Sequence, residues 1–166
     1  MKKLLATMLL CSAASVHAEQ ASLVDSITAP WNTLIFVSTK MPQASVLELA
    51  REASAAGAVI VMTGFADEDG TLTATQKYAA QITNACCAKK APHWIIDPVL
   101  TRRYHVTAAP AFVIVHGESD DPREYAKVAG DISLAQALKF VAQTSKLPAA
   151  RDAASRVYYS AYGQRF

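Results

Sequence analysis

The chain has 166 residues, 52% of them apolar, with 16 lysines and arginines against 14 acids. Such a composition is enough for one compact core, and its near-neutral balance gives no global attraction to nucleic acid or anionic lipid. It argues against a nucleic-acid-binding protein and for a globular domain.

Residues 1–18 read as an export signal. Lys2 and Lys3 open it, Leu4 to Val16 is mostly apolar, and Val16-His17-Ala18 offers a cleavage site. The apolar run is too short to span a bilayer, an uncleaved N-terminal anchor being the alternative. Leu10 stands before Cys11 where lipid attachment needs a small residue. Cleavage removes two lysines and no acid, so the mature chain is formally neutral, is expected in the periplasm and does not span the membrane. Only Cys86 and Cys87 then remain, so no disulfide framework supports the fold.

Residues 19–32 form a polar leader closed by Pro30-Trp31, and residues 33–145 carry the domain. Thr33 to Ser38 reads as a first buried strand. Pro42 suits the first turn of the next helix, Val46, Leu47, Ala50 and Ala53 recur on one face of it, and Gly57 stops it. Ala58 to Met62 is a second apolar strand. Gly64 to Gly70 is a loop whose acids lack the spacing of a calcium site. Thr73 and Gln76 suggest a capping box for a helix toward Ala88 with Tyr78, Ile82 and Cys86 inward. Trp94 to Ile96 is a short strand, and Asp97-Pro98 starts a helical turn through Arg103.

Ala111 to Val115 is an uninterrupted apolar run suited to a central strand. Pro110 stands at its mouth, and the Ala109-Pro110 bond is a candidate for the cis form. Tyr125 to Ala129 reads as an antiparallel return. Ser133 with Gln136 is a second capping box, opening a helix whose apolar face is Leu134, Leu138 and Val141. Residues 146–166 are expected to be a tail beyond the domain.

Strand–helix alternation followed by a hairpin predicts an α/β fold: a mostly parallel central sheet, an antiparallel C-terminal hairpin, and helices on both faces. Leu34–Ser38 is expected centrally, between Ala58–Met62 and Ala111–Val115. This order, with the aromatic-x-Val-x-x-x-Pro approach to the last long strand, resembles the thioredoxin-like fold and its cis-proline loop. In redox-active members a cysteine pair follows the first central strand, where the helix N-terminus activates the first thiol. Here Ser38 and Met41 stand at that spacing, and neither exchanges thiols. Cys86 and Cys87, if on one helix, point about 100° apart, and a bridge between them would break it. Cys86 is expected to be a buried apolar residue, and Cys87 free or paired with another chain. His93, His105 and His116 lack metal-ligand spacing, and no nucleophile elbow, phosphate loop or carboxylate pair is present. No enzymatic activity, metal, cofactor or small-molecule substrate is therefore expected.

Phe36-Val37-Ser38, Met41-Pro42, Ile96-Asp97-Pro98, Tyr104-x-Val106-x-x-x-Pro110-Ala111-Phe112-Val113 and Val128 through Leu134 together resemble the TrbC family over about residues 33–142. These are periplasmic pilin-assembly proteins of F-type conjugative transfer systems, related to the C-terminal part of TraW. Ala109 departs from the valine usual in the family. The resemblance implies a non-enzymatic role in pilus assembly within a type IV secretion apparatus, through a protein partner such as TraW. The alternatives are a thiol–disulfide oxidoreductase working through Cys86-Cys87 and a general periplasmic chaperone. Met41, Ala108, Ala109 and Pro110 are expected to line a partner groove. On a helix, Tyr158, Tyr162 and Phe166 would form an aromatic stripe, expected to dock on a partner rather than fold back.

Overall fold

The computed structural model describes residues 30–66 and 70–163. The expected export signal, most of the leader, the acids of the 64–70 loop and Phe166 lie outside them.

The apolar runs form the strands as the sequence suggests: β1 (Trp31–Val37), β2 (Val59–Met62), β3 (His93–Ile96), β4 (Ala111–His116) and β5 (Tyr125–Ala129). They make one sheet in the order β3-β2-β1-β4-β5. β1 is central, with Leu34 opposite Val59 on one side and opposite Val113 on the other. The sheet is mixed rather than mostly parallel. β1, β2 and β3 run parallel, but β4 is antiparallel to β1, and β5 to β4. The segment after β3 explains this. Its helix α3 (Pro98–Arg103) has 6 residues, a length of about 9 Å. That is too short to return the chain to the start of the sheet, so β4 enters from the end where β1 and β3 finish.

Among the described residues four long helices pack with the sheet: α1 (Gln43–Ala56), α2 (Leu72–Cys86), α4 (Leu134–Thr144) and α5 (Pro148–Tyr162). They share one core with Ile35, Val37, Ile60, Met62, Phe112 and Ile114 from a single face of the sheet. The expectation of helices on both faces is met only by the short α3 connection on the second face, the four long helices all lying on the first. Two right-handed crossovers that move the same way along a sheet deposit both helices on one side. The second face holds Leu34, Phe36, Val61, Val113 and Val115 around the fully buried Tyr104 and half-buried Leu100 of the α3 connection.

Caps fix the helix ends. Gly57 closes α1 at φ 67°, a left-handed geometry glycine adopts without side-chain penalty. Asp97 caps α3 through its carboxylate to the Val99 amide at 2.7 Å. Ser133 and Gln136 form the expected reciprocal box at α4. α2 differs: its cap is Thr71, accepting from the Ala74 amide at 3.2 Å, not Thr73. Thr75, buried on the same turn, donates to the Thr71 carbonyl at 2.9 Å and accepts from the Ala66 amide at 2.9 Å. This ties the start of α2 to the preceding loop.

The segment expected as a tail is largely α5, packed on α4 and α1. Ala150, Ala153 and Ala154 are buried at its contact face. Small side chains at helical spacing let it approach closely, so it joins the core without large apolar residues. The carboxylate of Glu52 on α1 links all three helices. It accepts the Leu134 amide at 2.8 Å, the Ala135 amide at 3.5 Å and the Tyr162 hydroxyl at 3.3 Å.

The cysteines also depart from expectation. Cys86 and Cys87 are joined by a disulfide. The bridge does not sit inside a helix: α2 stops at Cys86, and Cys87 caps it at φ −142°. Cys87 is the buried member, 7% exposed, while Cys86 is half-buried against the core.

Candidate functional site

Three segments converge where β1 ends. On one side β1 continues through α1 to its parallel neighbour β2, and on the other it meets antiparallel β4. Connections diverge at such a point, which in open α/β sheets is where ligands bind.

The first wall is the turn from β1 to α1. The Met41 amide donates to the Ser38 carbonyl at 3.1 Å, and the Lys40 amide to the Ser38 hydroxyl at 3.2 Å. The Ser38 amide lies 3.5 Å from the Met41 sulfur, which folds that half-buried side chain over the end of β1. Pro42 takes the N-cap position rather than the first turn.

The second wall follows β2. Thr63 secures it, donating to the Val37 carbonyl from its amide at 2.9 Å and its hydroxyl at 3.2 Å. The Thr39 hydroxyl reaches the Phe65 carbonyl at 3.2 Å, and the Phe65 ring is 46% exposed. Phe65 was not anticipated; an aromatic between Gly64 and Ala66 in a polar loop was the available signal.

The third wall is the loop into β4, held by a clip at the end of α3. The Val106 amide bonds the Thr101 carbonyl at 2.9 Å and the His105 amide the Arg102 carbonyl at 3.1 Å. This is a Schellman ending with His105 in the left-handed position at φ 49°. The Lys127 ammonium reaches across from β5 to the carbonyls of Tyr104 and His105 at 2.9 and 2.7 Å. Beneath, the Tyr104 ring meets Phe36 and Tyr125 edge-on, at centroid distances of 6.2 and 5.2 Å. Burial raises the Tyr104 phenol above its ordinary pKa, the main opposing influence being Arg103.

The Ala109–Pro110 bond is cis. Pro110 is buried and its carbonyl accepts the Gly130 amide at 3.1 Å, while Ala109 is half-buried and Ala108 exposed. Among the described residues, the amides and carbonyls of Ala108 and Ala109 have no hydrogen-bond partner. Phe36 opposite Ala111 in the sheet register sets Val37 and Ser38 beside Pro110 and Ala109. Met41 and the Ala108–Pro110 segment thus both lie at the end of β1 where β4 begins. Ala108 and Ala109 offer small side chains and unpaired backbone groups, which suits an extended peptide segment.

Tyr158 and Tyr162 belong elsewhere. Both are half-buried on α5 against the chain's own core, their rings 5.1 Å apart. The expectation that they form an outward stripe fails for this pair, and Tyr159 is the exposed ring of the helix at 49%. Burial first, then the Glu52 charge, pushes the Tyr162 phenol well above its usual pKa. The histidines are dispersed: His93 is exposed at the start of β3, His105 caps α3, and His116 packs on Trp31 at 5.5 Å. Among the described residues no three His, Cys, Asp or Glu side chains group as a metal site, and no helix is long and apolar enough to cross a membrane.

Comparison with protein families gives a match. Residues 35–141 fit the family described as type-F conjugative transfer system pilin assembly protein. No curated protein and no solved structure matches. The matched span runs from β1 through most of α4, well over half the chain, and takes in the three segments described above. The chain is therefore a member of the type-F conjugative transfer system pilin assembly protein family.

Proposed function

We propose that this protein is a periplasmic, non-enzymatic assembly factor of the conjugative pilus, built on a thioredoxin-like domain that has kept a peptide crevice without its thiols. Family membership supplies the process. The central β1, the helix that follows it and the cis proline entering β4 support the thioredoxin-like reading. Ser38 and Met41 at the cysteine spacing support a binding role, since neither side chain can enter thiol exchange. The sequence resemblance makes a TraW-like component of the same transfer system the first partner to test.

The observation that carries this reading is the unpaired backbone of Ala108 and Ala109 beside buried Pro110. A partner segment lying alongside gains main-chain hydrogen bonds there, and Met41 and Phe65 offer apolar contacts to its side chains. Ala108→Trp fills the crevice from an exposed position. We expect a normally folded variant whose affinity for the purified TraW-like partner falls at least about tenfold, the order of one lost hot-spot contact. A folded Ala108→Trp protein with unchanged affinity rules the crevice out.

The bonded Cys86–Cys87 pair favours a second reading, a thiol–disulfide oxidoreductase. The pair lies where α2 ends and the chain turns into β3, at the opposite end of the strands from the crevice. An insulin-reduction assay separates the two: turnover that disappears on replacing both cysteines would establish the enzyme.

A further inference from the structure

The vicinal disulfide lies in a sequence that does not by itself end a helix. Asn84-Ala85-Cys86-Cys87-Ala88-Lys89-Lys90-Ala91 contains no glycine or proline, and Pro92 is the first residue that opposes a helical predecessor. The Cys87 amide still makes a helical bond to the Thr83 carbonyl at 2.8 Å. Yet the helix stops at Cys86, and Cys87 turns away at φ −142°, ψ 31°. The turn then continues through the Lys90 amide to the Cys87 carbonyl at 3.1 Å. This brings Lys90 onto the end of α1: its carbonyl accepts the Ser54 hydroxyl, and its ammonium lies 3.4 Å from the Ala55 carbonyl.

We propose that Cys86–Cys87 is a redox-exchange site and that its oxidation state sets the end of α2. When oxidised, the pair stops the helix and clasps Lys90 to α1. When reduced, α2 runs on through Ala88, whose amide bonds the Asn84 carbonyl, and Lys90 leaves Ser54 and Ala55. The reactant is a dithiol of the disulfide-exchange class. Its thiolate attacks the sulfur of Cys86, the less buried of the two. The Cys86–Cys87 bond breaks, and Cys87 departs with the electron pair and takes up a proton. The second reductant thiol then displaces Cys86 from the mixed disulfide, so two electrons and two protons pass to this chain and the reductant becomes a disulfide. The inference uses different residues from the crevice and stands or falls apart from it.

The test needs only the wild-type protein. After equilibration with oxidised glutathione and removal of the excess, the denatured chain should take no alkylating label on Cys86 or Cys87. Dithiothreitol should add about 2 Da and allow two labels. In the folded protein, reduction should slow exchange of the Ala88 amide about tenfold as it gains a helical bond, and move the Cα resonances of Cys87 and Ala88 toward helical values. Cys86→Ala/Cys87→Ala should give the reduced pattern in both buffers. Free thiols or two glutathione adducts after oxidation would overturn the proposal, as would an Ala88 amide whose exchange is unchanged or faster on reduction.

Discussion

Glu52 on α1 and Leu134 at the first turn of α4 are joined by a 2.8 Å hydrogen bond from the Leu134 amide to the Glu52 carboxylate. The same carboxylate holds Ala135 and Tyr162, so one side chain satisfies orphan amides of α4 and pins the end of α5. An anion at a helix N-terminus is favoured by both the free N–H groups and the dipole.

Removing it should show in stability. Glu52→Ala is expected to cost about 2–3 kcal/mol, the scale for hydrogen bonds to a charged, partly buried acceptor. Glu52→Gln, which keeps an acceptor but loses the charge, should cost about 1 kcal/mol. Urea unfolding measures both. A loss below about 0.5 kcal/mol for the alanine variant, within the range of an ordinary surface substitution, would show that the three helices do not depend on this tie.

Tyr162 should make the protein sensitive to alkali. Burial, reinforced by Glu52, raises its folded pKa above the ordinary 10.0. Above that value the unfolded chain loses the phenol proton while the folded chain keeps it, so the unfolded state is favoured as pH climbs. The contribution is therefore complete below about pH 10 and is lost progressively above it. Burial raises Tyr78 and Tyr104 in the same direction. The urea midpoint should fall between about pH 9.5 and 11, and Tyr162→Phe should make that fall shallower. An identical slope in the variant would contradict the assignment.

His105 occupies a left-handed position that glycine adopts more easily. His105→Gly is expected to stabilise the fold by up to about 1 kcal/mol, provided that relief of the backbone outweighs the added freedom of the unfolded chain. Thermal unfolding reads this directly. A destabilised glycine variant would mean that the imidazole itself holds the cis-proline loop in place, not only the main-chain clip to Lys127.

Much of this architecture can be read from the residues. Buried strands declare themselves as apolar runs in Leu34–Val37, Ile60–Met62 and Ala111–Val115. Asp97-Pro98 and Ser133-x-x-Gln136 mark helix starts because capping is local chemistry. The candidate site rests on local patterns too: Pro110 at a strand mouth and the Ser38–Met41 spacing. What escaped depends on distant partners. The direction of β4 follows from the reach of α3, and the placing of all long helices on one face follows from the direction of the crossovers. α5 looked like a tail because its contact face is Ala150, Ala153 and Ala154, which give little apolar contrast in sequence. The Cys86–Cys87 bond escapes a sequence reading because no glycine or proline there marks the end of α2.

The most direct measurement places a photo-activated crosslinking residue at Ala108 in cells that are assembling conjugative pili, with a second at exposed His93 at the other end of the strands. The account predicts that Ala108 yields an adduct with one pilus-assembly protein while His93 yields none. If the Ala108 variant supports transfer at the wild-type level and crosslinks to nothing while His93 captures the partner, the crevice is not where this protein binds.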